Sequence, residues 1–188
     1  IPSVVVALPR LAIEQYCGPK ELGFYGNVST PALMLTTVIP TILIALLPRY
    51  GNAYRKNDYK HIKIMWIQSI LGIFLCTIVS IAGVAAIGKS VLSFAYTDEI
   101  EPYVHYLYPI IVAMSLYVVT VSNCLVLISL RRNWSTTLTE LSGLVLCLLI
   151  TIPLVKNYHI FGAVAVLALT YSVQVVLQIS LIIKFCKK

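Results

Sequence analysis

The chain has 188 residues, of which 59% are hydrophobic and only 11% are charged. Soluble domains average about 45–50% apolar and about 25% charged residues, and a soluble chain of this length could not bury such an apolar excess. The mean hydropathy of +0.90 therefore indicates that lipid is the solvent for most of the chain. The net charge of +7 fits cytoplasmic loops rather than nucleic-acid binding, because the sequence contains no aromatic-basic nucleic-acid motif.

The apolar segments predict an all-α fold: a polytopic membrane helical bundle, in the form of a six-helix lobe whose first helix is truncated. The opening residues, IPSVVVALP, have the composition of a helix that has already begun, so we expect this to be the C-terminal part of a longer protein. The second segment has no charged side chain and, at about 1.5 Å per residue, would reach roughly 36 Å, enough to cross a bilayer. The predicted spans are residues 1–17 (partial), 24–47, 64–87, 105–130, 138–155 and 160–183.

Polar segments connect these predicted spans. Residues 18–23 and 156–162 are predicted to be short turns, and residues 48–63 to be a basic loop. Residues 90–106 are amphipathic and acidic, which predicts a helix lying at the membrane interface.

The Lys and Arg residues of these connections fall mainly on one side of the predicted lobe. Cytoplasmic loops carry the excess of such residues, so the richer side and the C-terminus are predicted to be cytoplasmic. The richer side holds Arg49, Arg55, Lys56, Lys60, Lys63, Arg131, Arg132, Lys184, Lys187 and Lys188, and the poorer side holds Arg10, Lys20, Lys89 and Lys156.

Charged side chains within or beside the spans are the strongest indications of a site, because a charge in lipid is costly. Arg10 and Glu14 lie four residues apart, on one helical face. They are either a helix-end pair whose long side chains reach water, or a site in which Arg10 holds a phosphate oxygen and Glu14 tunes the site or binds a coupling ion. Glu140 is expected at the inner interface, near Arg131 and Arg132.

Uncharged polar residues give a second set of candidate substrate-binding and cavity residues. Asn27, Gln174 and Gln178 stand out because amides need partners or water, and the two glutamines are four residues apart on one face. Thr36 and Thr37 are further candidates on the second span. Small and hydroxyl residues are also common at ordinary helix–helix contacts in lipid, which is the alternative explanation.

Two prolines, Pro31 and Pro40, lie inside the second span. Each removes a backbone hydrogen bond and favours a bend, so both are candidate hinges. Proline kinks also occur in purely structural spans, and the sequence leaves both interpretations open.

No enzyme is predicted, because the sequence contains no His/Glu zinc spacing, no Gly-rich phosphate loop and no Ser or Cys placed with a histidine base. The five cysteines are odd in number and have no paired spacing, so they are interpreted as small packing residues rather than metal ligands. His61, His105 and His159 are interpreted as polar residues of loops and membrane boundaries.

The first part of the chain carries Pro9, Arg10, Glu14, the pair Leu22-Gly23 and the pair Pro48-Arg49. This pattern resembles the beginning of the C-terminal half of polysaccharide and O-antigen flippases of the Wzx type. Those proteins carry a Pro-Arg pair and an acidic residue before a Leu-Gly turn, and then a long helix that ends in Pro-Arg and a basic loop. The stretches GKSVLSFAYTDEIEPY and KNYHIFGAVAVLALTYSVQ resemble an outer segment and the last helix of the family.

The resemblance implies the multidrug/oligosaccharidyl-lipid/polysaccharide transporter superfamily, in which two six-helix lobes face each other across a central cavity. This chain would be the second lobe, and the missing N-terminal lobe its partner. The implied activity moves undecaprenyl-diphosphate-linked oligosaccharides across the bacterial cytoplasmic membrane by alternating access, for lipopolysaccharide or capsule synthesis. No cofactor is implied other than a coupling ion, H⁺ or Na⁺. The other expected partners are the lipid bilayer, the polymerase and further polysaccharide-assembly proteins.

Two alternative functions stay open. A drug–cation antiporter of the same superfamily would need an acidic residue deep in the lobe, and Glu14, near a helix end, is the candidate that the sequence offers. A membrane-embedded enzyme of envelope assembly would need catalytic polar clusters in its loops, and these loops are short and lack them.

Overall fold

The computed structural model describes the backbone of residues 2–95 and 106–186, and the side chains of these ranges apart from residues 2, 3, 31, 34, 87–95 and 186. No strand occurs in the described ranges, which confirms the predicted all-α fold. The acidic part of the predicted interface helix, at Asp98, Glu99 and Glu101, lies outside the described residues. The helices are α1 Pro2–Cys17, α2 Pro19–Ile44, α3 Leu47–Arg55, α4 Tyr59–Ala95, α5 Leu107–Ser129 and α6 Asn133–Cys186.

Three stretches of helix in the described ranges are long and apolar enough to cross a membrane: Tyr59–Ala86, Leu107–Ser129 and Asn133–Phe185. The outward face of α4 is strongly apolar, with Leu71, Phe74 and Val79 each more than 60% exposed. Contiguous exposed apolar surface of this kind marks contact with lipid or with another protein, and the length and apolarity of these helices favour lipid. The chain is therefore a membrane protein.

The predicted turn over residues 18–23 is wrong, because Gly18 is the only residue that separates α1 from α2. Gly18 has a φ of 93°, a conformation that costs glycine little, and its N–H donates to the Ile13 carbonyl at 3.1 Å. Pro19 then begins α2 at a position where its fixed φ suits the first helical turn.

The predicted loop over residues 48–63 is also mostly helical. It contains nearly all of α3 and the first turn of α4. The Asp58 side chain accepts a hydrogen bond from the backbone N–H of His61 at 3.0 Å, which caps the start of α4. Asn57, with a φ of 56°, makes the turn between the two helices.

The long helix α6 is a hairpin of two antiparallel helices, residues 133–158 and 160–186, joined at His159. His159 has φ 52° and ψ −129°, which interrupts the helix. A straight helix would place residues 143 and 174 about 46 Å apart. Instead, a Cβ added at Gly143 would collide with the Gln174 side chain, and one added at Gly162 would collide with the backbone of Leu154.

Side-chain contacts fix the directions of the other long helices. Cys147 lies 3.8 Å from the Val5 carbonyl and His159 lies 3.2 Å from Cys17, so α1 runs parallel to the first half of α6. Tyr117 packs against Tyr171, and Gln178 bonds to Cys124, so α5 runs parallel to the second half. Bonds from Trp66 to Asn123 and from Thr77 to Ser115 show that α4 is antiparallel to α5.

The bundle therefore has two ends. The turn end holds Gly18 and His159, and the basic end holds Arg55, Lys56, Arg131, Arg132 and Lys184. The main core lies between α1, α2, α5 and α6, and includes Ile13, Tyr25, Met114 and Leu167. A second core near the basic end packs α3 and α4 against α5 and α6, through Tyr50, Ile62, Leu127 and Ile182.

Candidate functional site

Three groups of polar side chains in the described part of the chain are candidates for function. The Arg10 cluster contains Arg10, Tyr25 and Ser29, where α1 packs on α2. The Glu140 cluster contains Trp66, Asn123, Cys124, Glu140, Gln174 and Gln178, deep between α4, α5 and α6. The turn-end cluster contains Cys17, Glu21 and His159.

Arg10 projects between α1 and α2 and is half-buried. Its Nη2 atom lies 3.5 Å from the Ser29 hydroxyl, and its guanidinium carbon lies 5.9 Å from the centroid of the Tyr25 ring. Its Nε atom is buried and has no hydrogen-bond partner. A guanidinium held in this way, by an aromatic face and one weak hydrogen bond, still has N–H groups that can donate to an anion.

Glu14 does not share this environment, although it is four residues from Arg10. Its side chain is exposed, and it makes no ion pair with Arg10 among the described contacts. Arg10 lies at the edge of the buried face of α1, which holds Val5, Ala12 and Ile13, whereas Glu14, one turn further along, is turned towards the exposed side.

The candidates on α2 are spread along the helix. Asn27 is half-buried and Thr37 is exposed. The Thr36 hydroxyl donates to the carbonyl of Leu33 at 2.7 Å, and the Thr41 hydroxyl donates to that of Thr37, so both bonds stay within the helix. Such backbone bonds are a common resting arrangement for hydroxyls on membrane helices.

A bend of 43° lies between Thr30 and Leu35, in the part of α2 that contains Pro31. Pro40 lies in the helical stretch after the bend, and α2 continues past it to Ile44. The bend therefore coincides with the first of the two candidate hinges and not with the second.

The expectation that Glu140 lies at the interface near Arg131 and Arg132 is wrong. Its side chain is only 8% exposed and faces α5, where the Cys124 thiol donates to Glu140 Oε1 at 3.3 Å. Gln178 Nε2 in turn donates to the Cys124 sulfur at 3.2 Å. A chain of three polar side chains therefore connects α5 with both halves of the α6 hairpin.

Several buried polar atoms of the Glu140 cluster have no hydrogen-bond partner in this structure. Gln174 is 1% exposed and both of its side-chain polar atoms lack partners, as does Gln178 Oε1. Asn123 accepts a hydrogen bond from Trp66 Nε1 at 2.8 Å, but its own Nδ2 donates to nothing. Unsatisfied polar atoms are costly in a bundle interior, and their presence in one cluster with a buried carboxyl group suits a bound water or small cation.

The structure thus brings Gln174 and Gln178 together with Glu140, and places Arg10 in a separate cluster nearer the turn end. Glu140, Cys124 and Trp66 are members that reasoning from the sequence missed. The sequence carries no signal for the burial of Glu140, because its partners Cys124 and Gln178 come from α5 and from the other half of the hairpin.

The turn-end cluster joins the two turns at one end of the bundle. Cys17 Sγ lies 3.2 Å from His159 Nδ1, and His159 Nδ1 lies 3.9 Å from Glu21 Oε2. Partial burial raises the pKa of the Cys17 thiol, and the Glu21 carboxylate raises it further. The thiol is therefore protonated at neutral pH in this arrangement.

Comparison with known proteins does not place the chain in a family, because no protein-family model, curated protein or solved structure gave a significant match.

Proposed function

We propose that the chain is one lobe of a flippase that moves undecaprenyl-diphosphate-linked oligosaccharides across the bacterial cytoplasmic membrane by alternating access. The observation that carries this proposal is the environment of Arg10. Its guanidinium projects between α1 and α2, lies over Tyr25 and retains an unpartnered Nε. The resemblance to flippases at Pro9, Arg10 and Pro48 is the second support.

Arg10 has the chemistry that a lipid diphosphate needs. A guanidinium stays charged and offers a planar fork of donors to phosphate oxygens. Its half-buried position strengthens that attraction, because water screens it less than at a surface. The facing lobe of the transporter would supply the remaining cationic and polar groups around the headgroup and sugars.

In this proposal the protein is a multi-pass component of the cytoplasmic membrane with its C-terminus in the cytoplasm. The basic end then faces the cytoplasm, as the distribution of Lys and Arg favours. The lobe works with a second lobe and with the polymerase and other assembly proteins of lipopolysaccharide or capsule. It moves its substrate without chemical change, driven by a coupling ion, H⁺ or Na⁺.

The test is deletion of the gene for the full-length protein. Lipid-linked oligosaccharide should accumulate on the inner leaflet while surface polysaccharide is lost, and the wild-type gene should restore both. Normal surface polysaccharide without accumulation would contradict the proposal.

Complementation with variants of the full-length protein tests the site itself. Arg10→Ala should fail to restore transport, and Arg10→Lys should restore part of it, because Lys keeps the charge but loses the fork. Arg55→Ala, at an exposed arginine of α3, is the matched control and should complement fully. Full complementation by Arg10→Ala at normal expression would reduce Arg10 to a structural residue.

A second candidate function, an ion-coupled drug or cation antiporter, gains a specific observation from the structure. Such a protein needs an acidic residue inside the lobe. Glu140, buried about two turns after the start of α6, is a better candidate for this role than the exposed Glu14. Glu140→Gln preserves the shape and removes the charge. If efflux of cationic compounds depends on the wild-type gene and is lost in Glu140→Gln, while surface polysaccharide is unaffected, the antiporter replaces the flippase.

A further inference from the structure

The turn-end cluster contains three types of metal-binding side chain from three parts of the chain. Cys17 is the last residue of α1, Glu21 lies in the first turn of α2, and His159 is the turn of the α6 hairpin. One ligand atom from each lies within 4.8 Å of the others. Neither the transport proposal nor the packing of the core accounts for this grouping.

We propose that Cys17, Glu21 and His159 form a zinc-binding site that fastens the turn between α1 and α2 to the turn of the α6 hairpin. The site is independent of any transport activity, and the following observations support it.

The distances between the ligand atoms fit a tetrahedral ion. Bond lengths of about 2.3 Å to sulfur and about 2.0–2.1 Å to nitrogen and oxygen place neighbouring ligand atoms roughly 3.4–3.6 Å apart. The separations are 3.2 Å from Cys17 Sγ to His159 Nδ1 and 3.9 Å from His159 Nδ1 to Glu21 Oε2. The third pair, Cys17 Sγ and a Glu21 carboxylate oxygen, lies within 4.8 Å. Side-chain movements on the order of 1 Å would bring the three ligand atoms onto one ion.

A bound cation would relieve two energetically unfavourable features of the cluster. Glu21 Oε2 is buried and has no hydrogen-bond partner. His159 holds a positive φ of 52°, a conformation that a side chain with a Cβ adopts only at a cost. A bound cation would satisfy the carboxylate oxygen and would offset the cost of the histidine backbone.

The helices hold the three residues in a fixed relation. The contacts of α1 with the first half of α6 keep one register from Val5 and Cys147 to Cys17 and His159. Gly18 is the only residue between α1 and α2, so Glu21 cannot move far from Cys17. The site is therefore built on helix ends rather than on a long loop.

The donor set selects zinc among the common metals. Calcium and magnesium prefer sites made of oxygen atoms, whereas a thiolate, an imidazole and a carboxylate together suit Zn²⁺. Binding would release the Cys17 proton to solvent, and the thiolate and the Glu21 carboxylate would balance the charge of the ion. The His159 side chain is 60% exposed, so water can occupy the fourth position.

The test uses the full-length protein, purified in detergent under reducing conditions and stripped with a chelator. Zn²⁺ is titrated against a chromophoric chelator, and Co²⁺ serves as an optical probe of the same site. We expect one ion per chain and a thiolate-to-cobalt charge-transfer band. Cys17→Ser should abolish the band, and Glu21→Gln and His159→Asn should each weaken Zn²⁺ binding at least about tenfold.

The matched controls are Cys76→Ser and His61→Asn, which alter an exposed cysteine and an exposed histidine of α4. Both should bind as the wild type does. A thermal scan separates lost binding from lost fold: Zn²⁺ should raise the Tm of the wild type and of both controls, but not that of Cys17→Ser. Sub-stoichiometric binding by the wild type, or binding that survives both Cys17→Ser and His159→Asn, would overturn the proposal.

Discussion

Gly143 shows how closely a single residue can control this bundle. It faces Gln174 across the α6 hairpin, and a Cβ at this position would overlap the buried Gln174 amide. Gln174 has little room to move, because it is 1% exposed. The absence of a side chain at residue 143 is therefore what allows the polar face of the hairpin to close.

Replacement of Gly143 by Ala should lower the free energy of unfolding by about 1–3 kcal/mol, because the added methyl forces the Gln174 side chain or the hairpin to shift. Gly72→Ala is the control, since an added Cβ meets nothing there. It should be neutral, or stabilising by up to about 1 kcal/mol. Thermal or denaturant unfolding in detergent measures both.

The double variant Gly143→Ala with Gln174→Ala isolates the cause. Removal of the amide should recover most of the stability that Gly143→Ala loses, so the two changes should be clearly non-additive. Simple additivity would show that the loss does not come from the contact between these two residues.

His159 is the second residue whose effect on stability can be measured, because its positive φ is an unfavourable backbone conformation for a residue with a side chain. Without zinc, His159→Gly should raise the free energy of unfolding by about 1 kcal/mol, because glycine adopts a positive φ freely. Asn57→Gly is the matched control at another positive φ, and its gain should be smaller because Asn tolerates this conformation better. Equal gains at the two positions in chelator-treated protein would contradict a special strain at His159.

At the scale of single residues, the sequence predicted part of the Glu140 cluster. The spacing of Gln174 and Gln178 correctly indicates one shared face, and both are buried. The sequence does not show that Glu140 lies inside, because its nearest polar partners come from α5 and from the other half of the hairpin. The turn-end cluster was unpredictable for the same reason, since His159 is 142 residues away from Cys17.

At the scale of elements, the bend in α2 separates a segment near the turn end from one that continues towards α3. Residues 19–30 and 35–55 meet at 43°. Since Pro40 lies beyond the bend, the two prolines give a comparison within one helix. We assign the bend to Pro31, because it lies within the bent part of α2 and removes a backbone hydrogen bond there.

Pro31→Ala should straighten α2, whereas Pro40→Ala should leave its overall direction unchanged. Straightening a bend of this size would lengthen the distance between residues 20 and 55 by roughly 3 Å, given about 1.5 Å of rise per residue. Spin labels at these two positions, in a background without native cysteines, can measure the change by pulsed electron–electron resonance. An unchanged distance in Pro31→Ala would assign the bend to packing rather than to proline.

The sequence predicts the existence of the helices better than it predicts their ends. The turn at residues 18–23 shrinks to Gly18 because Pro19 is a good first helical residue, and the polar residues after it tolerate a helix. The loop at 48–63 becomes helical because Pro48 and Asp58 start two helices within it. In both places, residues that look like loop residues act as helix-start signals.

At the scale of the whole molecule, the excess of Lys and Arg at the basic end over the turn end predicts the orientation in the membrane. The exposed residues Asn57 and Asn157 form a matched pair, because one lies at the basic end and the other near the His159 turn.

The packing order of the helices could not be predicted, since the spans are similarly apolar and any of them could have been neighbours.

Single cysteines at these positions, Asn57→Cys and Asn157→Cys, should therefore react from opposite sides. An impermeant thiol reagent added to intact cells should label position 157 and should label position 57 only after the membrane is opened. A background without native cysteines provides the control. The reverse pattern would place the basic end outside the cytoplasm.

The one-residue connection at His159 has a mechanical consequence. Because one residue joins the two helices of the hairpin, neither helix can slide along the other by even one residue without unfolding the turn. The two helices should therefore move as one rigid body. Hydrogen exchange at their central amides should be slow and should stay slow when the protein changes state. Any large displacement of the lobe must then be absorbed elsewhere, and the bend of α2 is the structural feature best suited to absorb it.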